Sequence, residues 1–293
     1  MRNTSLSVLF CFMLSFNNVR AQNVETSGSL MELTPVRGHY KILGAINPKP
    51  LSDHETLDKL SFPYDEKFAS KVLNEKPHYL RNTSVNDFKI PDPPANSSLQ
   101  TRAELDYLLA LQTNRSPEDI RSSLYLSNTF LTPSEIGQLI GYWVNPEKLP
   151  QTDSLFSNVA EYVNYFLWSL KFKYERVRPY TLEPKIHDLE ESRAASYPGG
   201  HVTYAYVHAF IYQALAPEFT DYFTKDAYAM AHAREIIGVH YPSDAEASRI
   251  FARQIVNMLF QNQKFLTDFQ RVKTEWESHE KSSMLLLTKS WGK

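Results

Sequence analysis

With 293 residues, 42% of them hydrophobic and 22% charged, the chain can bury a sizeable core and is not disordered by composition. Its 31 Lys+Arg against 33 Asp+Glu give a net charge of -2, without the basic excess of a nucleic-acid binder. One cysteine excludes an intrachain disulfide framework and a cysteine-based zinc site, and 9 glycines disfavour a fold built on Gly-rich phosphate loops.

The start of the chain reads as an export leader. Arg2 is followed by an apolar stretch over residues 6–16 (LSVLFCFMLSF), and Val19-Arg20-Ala21 has the pattern of a cleavage site. Cleavage after Ala21 is expected, which removes Cys11 and delivers the protein to the periplasm or the medium. A short buried helix is the bland alternative. The stretch is too short to span a bilayer, and no later segment has 18 uninterrupted apolar residues. A soluble exported protein with no transmembrane span is the expectation.

Residues 22–90 form a lead-in of unknown role, and its first part, 22–55, reads as an extended arm. Pro91-Asp92-Pro93-Pro94 is a stiff extended segment that marks the start of the main domain, residues 91–293. From there the pattern is helical. Residues 100–112 carry Leu105, Leu108, Leu109 and Leu111 near helical spacing, and Thr132-Pro133-Ser134-Glu135 is a helix start. Further helices are expected over 153–175, stopped by Arg178-Pro179, and over 201–215, 220–237 and 244–262. No run alternates like a strand. The fold class is all-α, a single helical-bundle domain. Tyr204, Tyr206, Phe210 and Tyr212 read as packing.

The chemistry concentrates in residues 171–244. Lys171 and Arg178 lie seven apart, which on a helix is one face, so both cations can point into one site. Lys offers a point charge and Arg a planar fork, a pair suited to phosphate oxygens. With Lys173 and Arg176 beside them, a solvated basic face is the bland alternative. Next, Pro198-Gly199-Gly200-His201 opens a helix. There Gly199 and Gly200 let backbone N–H groups approach an anion, and His201 stands at the mouth. A plain turn is the alternative here. Last, Arg234 precedes His240 by six positions, and Asp244 follows His240 by four. Gly238 ends the helix carrying Arg234, so His240 sits in a tight loop. A carboxylate partner can fix the tautomer of an imidazole that acts as nucleophile or base, although a surface His beside a capping Asp would look the same.

The three pieces together, KFKYERVRP, PGGH and AREIIGVHYPSD, resemble in order and spacing the signature of the phosphatidic-acid-phosphatase type 2 and vanadium-haloperoxidase superfamily. Within it the chain looks like the bacterial class A non-specific acid phosphatases. The resemblance covers residues 91–276, most strongly 165–260. The chain departs from the pattern at Gly199 and Ala233, where the family has serines, and at Glu235, where an apolar residue is usual.

The resemblance implies a metal-independent acid phosphatase with no cofactor that hydrolyses small phosphomonoesters and is inhibited by vanadate. His240 would be the nucleophile, Asp244 its partner and His201 the proton donor. Lys171, Arg178, Arg234 and the N–H groups at Gly199 and Gly200 would hold the phosphate. Two other readings compete. One is a vanadate-dependent haloperoxidase with His240 as the vanadate ligand. The other is a phosphate- or phospholipid-headgroup-binding protein without turnover. His187, His208, His232 and His279 read as surface or packing residues, and self-association into a homo-oligomer is left open.

Overall fold

The computed structural model describes residues 51–290, apart from 52, 65, 75–76, 80–82, 129–135, 137–139, 142 and 193, and only the backbone over 280–290. The expected leader over 1–21, most of the arm over 22–55 and the helix start at Thr132–Glu135 lie outside the described residues. Among the described residues there is no strand. Eight helices longer than two turns follow one another: α1 (Glu66–Asn74), α2 (Leu99–Asn114), α3 (Pro117–Leu126), α4 (Pro150–Tyr174), α5 (Gly200–Leu215), α6 (Thr220–Ile236), α7 (Pro242–Leu259) and α8 (Gln263–Ser290). None of the described helices is long and apolar enough to cross a membrane.

Local sequence explains where these helices begin. Ser116 caps α3 reciprocally with Asp119, and Pro117 occupies the first turn, where its missing N–H costs nothing. Ser98 caps α2 by accepting from the Thr101 N–H. At α4 the cap comes from elsewhere in the chain. Glu275 of α8 accepts from the backbone N–H groups of Gln151 and Thr152, both at 2.9 Å. The start therefore falls at Pro150, three residues before the sequence expectation.

The end of α4 differs too. The helix stops at Tyr174, and Glu175 takes a left-handed conformation with φ of 44°. Arg178 lies beyond the helix and leads into a single-turn helix, Pro179–Leu182. Lys171 and Arg178 therefore do not share a helical face. They meet because the chain turns after Tyr174.

α5 is the central helix. It is apolar nearly all round, with Val202, Ala205, Val207, Ala209, Phe210, Ile211 and Tyr212 all buried. It packs most extensively against α6 and α7, and also against α4. Full burial of one large apolar side chain contributes about 1.5–3 kcal/mol, so this helix anchors the fold. Tyr206 and Tyr212 are core residues, as read from sequence. Residues ahead of 91 join the same core. Tyr79 and Phe88 are buried in it, and Phe68 of α1 meets Trp168 of α4 edge-on at 4.8 Å.

A second, smaller core gathers Leu105, Tyr107, Leu108 and Leu111 of α2 with Val177, Leu182, Ile186, Ile236 and Tyr241. Val177, Ile236 and Tyr241 are near neighbours in sequence of Arg178, Arg234 and His240. The candidate site thus lies at the seam of the two cores.

Candidate active site

Three chain segments converge at this seam. The stretch from Lys171 to Arg178 is not a solvated basic face: Lys171, Arg176 and Arg178 are 4%, 4% and 3% exposed, and only Lys173 faces solvent. The Lys171 ammonium donates to the carbonyls of Ala195 and Pro198, at 2.6 and 2.7 Å. An ammonium has three N–H groups, and these contacts account for two. Burial, and then the charge of Arg178, press the Lys171 pKa well below its ordinary value.

Arg178 is held mainly by backbone. Its Nε–H donates to the Ala194 carbonyl, and its two terminal nitrogens donate to the carbonyls of Val239 and Ala195. One of them also stands 3.0 Å from His240 Nε2. Burial lowers its pKa to about 10, which leaves it charged at any working pH.

The contact between Arg178 and His240 assigns the histidine tautomer. A guanidinium can only donate, so His240 Nε2 accepts and carries a lone pair. Its Nδ1–H then donates to Asp244 Oδ2 at 3.0 Å. Burial, and then Arg178, push the His240 pKa well below its ordinary value despite Asp244. The ring is neutral, with Nε2 ready to share electrons.

Asp244 is 0% exposed yet accepts four hydrogen bonds, from Arg176, Ser196, His240 Nδ1 and the Tyr241 backbone N–H. It stands in the first turn of α7, where a carboxylate also meets the positive end of the helix dipole. Burial alone would raise its pKa, but Arg176, His240 and Ser196 together hold it far below the usual carboxylate range.

The segment ahead of α5 completes the cradle. Gly199 caps the helix, and Gly200 is its first residue. The first N–H groups of a helix have no partner inside it. A Cβ at Gly199 would stand 3.3 Å from Ser248 Oγ and 3.5 Å from His240 Cε1. The serine usual in the family therefore fits here only if Ser248 gives way, and Ser248 Oγ is committed to the carbonyls of Gly199 and Asp244. His201 is half-buried, and its ring is bonded to the Ser127 backbone. Burial, and then Arg234, pull its pKa down to about 4. The charge of Lys171 lowers the pKa of both His201 and His240.

Gly238 ends α6 with φ of 86°, a left-handed turn that glycine adopts without strain. It directs the chain into the loop that holds His240. Arg234, in the last turn of α6, is 2% exposed and donates to Ser127 Oγ and to both carboxylate oxygens of Glu190. Glu235 turns away from this group, accepting from Tyr107 Oη at 3.0 Å and pairing with His232 Nδ1 at 3.1 Å. The extra acid is thus hydrogen-bonded away from the cation cluster. His232 and His208 are buried, His279 is half-buried and His187 is exposed.

Sequence reading missed Arg176, Glu104, Ser127, Ser196 and Glu190. Arg176 bridges Asp244 Oδ1 at 2.7 Å and Glu104 at 3.2 Å, and it stacks on the Tyr241 ring at 3.8 Å. Glu104 also accepts from the backbone N–H and hydroxyl of Ser243. The one local signal was the basic run itself, in which Arg176 resembles any solvated arginine. Among the described residues, no group of three or more His, Cys, Asp or Glu is placed to hold a metal ion.

No protein-family model matches the chain. A non-specific acid phosphatase of Providencia stuartii is 28% identical over 218 residues, 70% of this chain and 86% of that protein. One from Salmonella typhi is 25% identical over 196 residues, 62% of this chain and 76% of its own length. A bacterial vanadium-dependent iodoperoxidase superposes with a TM-score of 0.53 at 15% identity, over 76% of this chain and 64% of that structure. These findings match the resemblance read from the three motifs: the similar sequences are non-specific acid phosphatases, and the helical fold is shared with a vanadium-dependent iodoperoxidase.

Proposed function

We propose that this chain is an exported acid phosphatase that hydrolyses phosphate monoesters without a metal, through a phosphohistidine. The observation that carries the reading is a neutral His240, its Nδ1 proton fixed on Asp244, with Nε2 among buried cations. The relatives' names point to the same activity. Binding alone would need the cations and not this oriented imidazole.

In this mechanism His240 Nε2 attacks phosphorus, the N–P bond forms and the P–O ester bond breaks. The leaving oxygen takes a proton from His201. Asp244 stabilises the charge that His240 gains. Water then attacks phosphorus and gives a proton to His201, and the N–P electron pair returns to His240. Lys171, Arg178, Arg234 and the N–H groups at Gly199 and Gly200 neutralise the phosphoryl oxygens, the work a divalent ion performs elsewhere.

The test is a panel of phosphomonoesters, nucleotides, phosphatidic acid and pyrophosphate, assayed before and after exhaustive chelation. Activity is expected to survive EDTA and to be inhibited by orthovanadate, which adopts the five-coordinate geometry of the transition state. Loss with EDTA and recovery with a divalent ion would sink the metal-free mechanism. Halide oxidation by peroxide with vanadate, without ester hydrolysis, would replace the reading with a haloperoxidase.

The pH dependence follows from the two imidazoles. His240 must be neutral, and its depressed pKa keeps it so well into acid solution. His201 must bring a proton, and with a pKa of about 4 it gives that proton up as pH rises through the acid range. We expect kcat/KM to fall from about pH 5 to pH 8. The kcat profile should hold to higher pH, because a bound phosphoryl dianion raises the His201 pKa. The limbs belong to the coupled pair. A kcat/KM that climbs steadily to pH 9 contradicts the assignment.

A further inference from the structure

Arg234 differs from the other two cations of the cradle. Lys171 and Arg178 are held by backbone carbonyls, which carry no net charge. Arg234 instead gives its fork to the carboxylate of Glu190, at 2.7 and 3.0 Å. This is the bidentate geometry with which arginine takes a phosphate. The carboxylate also feels the charges of His201 and Arg178. The loop explains how it reaches Arg234. The Leu189 N–H donates to the Ile237 carbonyl at 3.0 Å, which pins the preceding residue beside the end of α6. The Glu190 side chain itself is 33% exposed, so it has a way out to solvent.

We propose, on the phosphatase reading above, that Glu190 is an internal competitor for the phosphate subsite on Arg234 and thereby sets the affinity of the site for phosphate. A phosphoryl dianion and this carboxylate repel one another among the same cations, so one must leave for the other to take the fork. Glu190 is the one with a path outward. Once Glu190 swings away, the fork is open to the phosphoryl oxygens, together with the buried Nε–H of Arg234, which has no partner among the described residues. On release the sequence reverses, and the carboxylate helps to expel orthophosphate. The same contact selects against weak anions such as monovalent carboxylates, which cannot outbid a tethered one.

The test is calorimetric titration of inorganic phosphate into the full chain and into Glu190→Gln and Glu190→Ala at neutral pH. Both variants change a half-exposed loop side chain, and circular dichroism checks that they fold. We expect both to bind phosphate at least tenfold more tightly than the wild type. Unchanged or weaker binding in either would overturn the proposal, the weaker result meaning that Glu190 holds Arg234 in place for phosphate. Hydrolysis of nitrophenyl phosphate by the wild type, run alongside, keeps the two claims apart. Turnover with no gain in affinity removes the competitor alone, whereas neither turnover nor phosphate binding removes both readings.

Discussion

Turnover of every phosphomonoester is expected to vanish in His240→Ala, while the defect of His201→Ala depends on the leaving group. The first variant has no Nε2 to form the N–P bond, so no covalent intermediate arises with any substrate. The second lacks only the proton carrier. General acid–base catalysis supplies about 10²–10⁴-fold. Nitrophenolate departs without a proton, so its ester should recover much of that loss relative to an alkyl ester. The second step still lacks its base, and phosphohistidine should accumulate as a burst of acid-labile label. Rapid quench with labelled substrate on both variants decides the matter. A trapped intermediate in His240→Ala, or none in His201→Ala with a good leaving group, would mean that the roles are reversed or the mechanism is wrong.

Arg176→Met should cause the largest loss of stability. The guanidinium is the shared partner of two buried carboxylates, Asp244 and Glu104, and side-chain exposure across these pairs is at most 9%. Burial already holds the Glu104 pKa above its ordinary value, with Arg176 opposing. Removing one partner of a buried pair strands the other, at a cost of about 3–5 kcal/mol. In a chain of this size the melting temperature should drop by roughly 10 °C. The kcat should fall as well, because Asp244 loses the bond to Oδ1 that orients it behind His240. Chemical denaturation and thermal melts read the first effect, and nitrophenyl phosphate turnover reads the second. A loss below ~1 kcal/mol would show that the network is not what fixes Asp244.

Much of the candidate site was legible because the groups proposed to react stand on short local patterns. His240 and Asp244 are four residues apart across a helix start, Gly199 and Gly200 announce a backbone that must approach something closely, and Gly238 marks the end of α6. What stayed hidden was the layer behind them. Glu104 is 72 residues from Arg176, Ser127 is 107 from Arg234, and no periodicity links such pairs. Arg176 was misjudged because a basic run looks the same in sequence whether it is solvated or buried, and only the fold brings carboxylates to it. The geometry of Lys171 and Arg178 was misjudged for a related reason. Spacing on an ideal helix suggests one face, but Glu175 breaks the helix and the two cations meet across a turn. The core helices were accessible from their apolar residues, while the start of α4 depends on Glu275, which no local rule could supply.

The hydrogen bond from Arg178 to His240 Nε2 bears on chemical selectivity. The electron pair that would make this histidine reactive points into a guanidinium and is not offered to bulk solution. Small neutral electrophiles, which have nothing to offer a cation, find the ring veiled. On the proposed mechanism, the oxygens of a phosphoryl group would draw the guanidinium N–H toward themselves, and the same movement would uncover the nitrogen. The substrate would then supply the signal that exposes the nucleophile, and the ring would stay inert until it came.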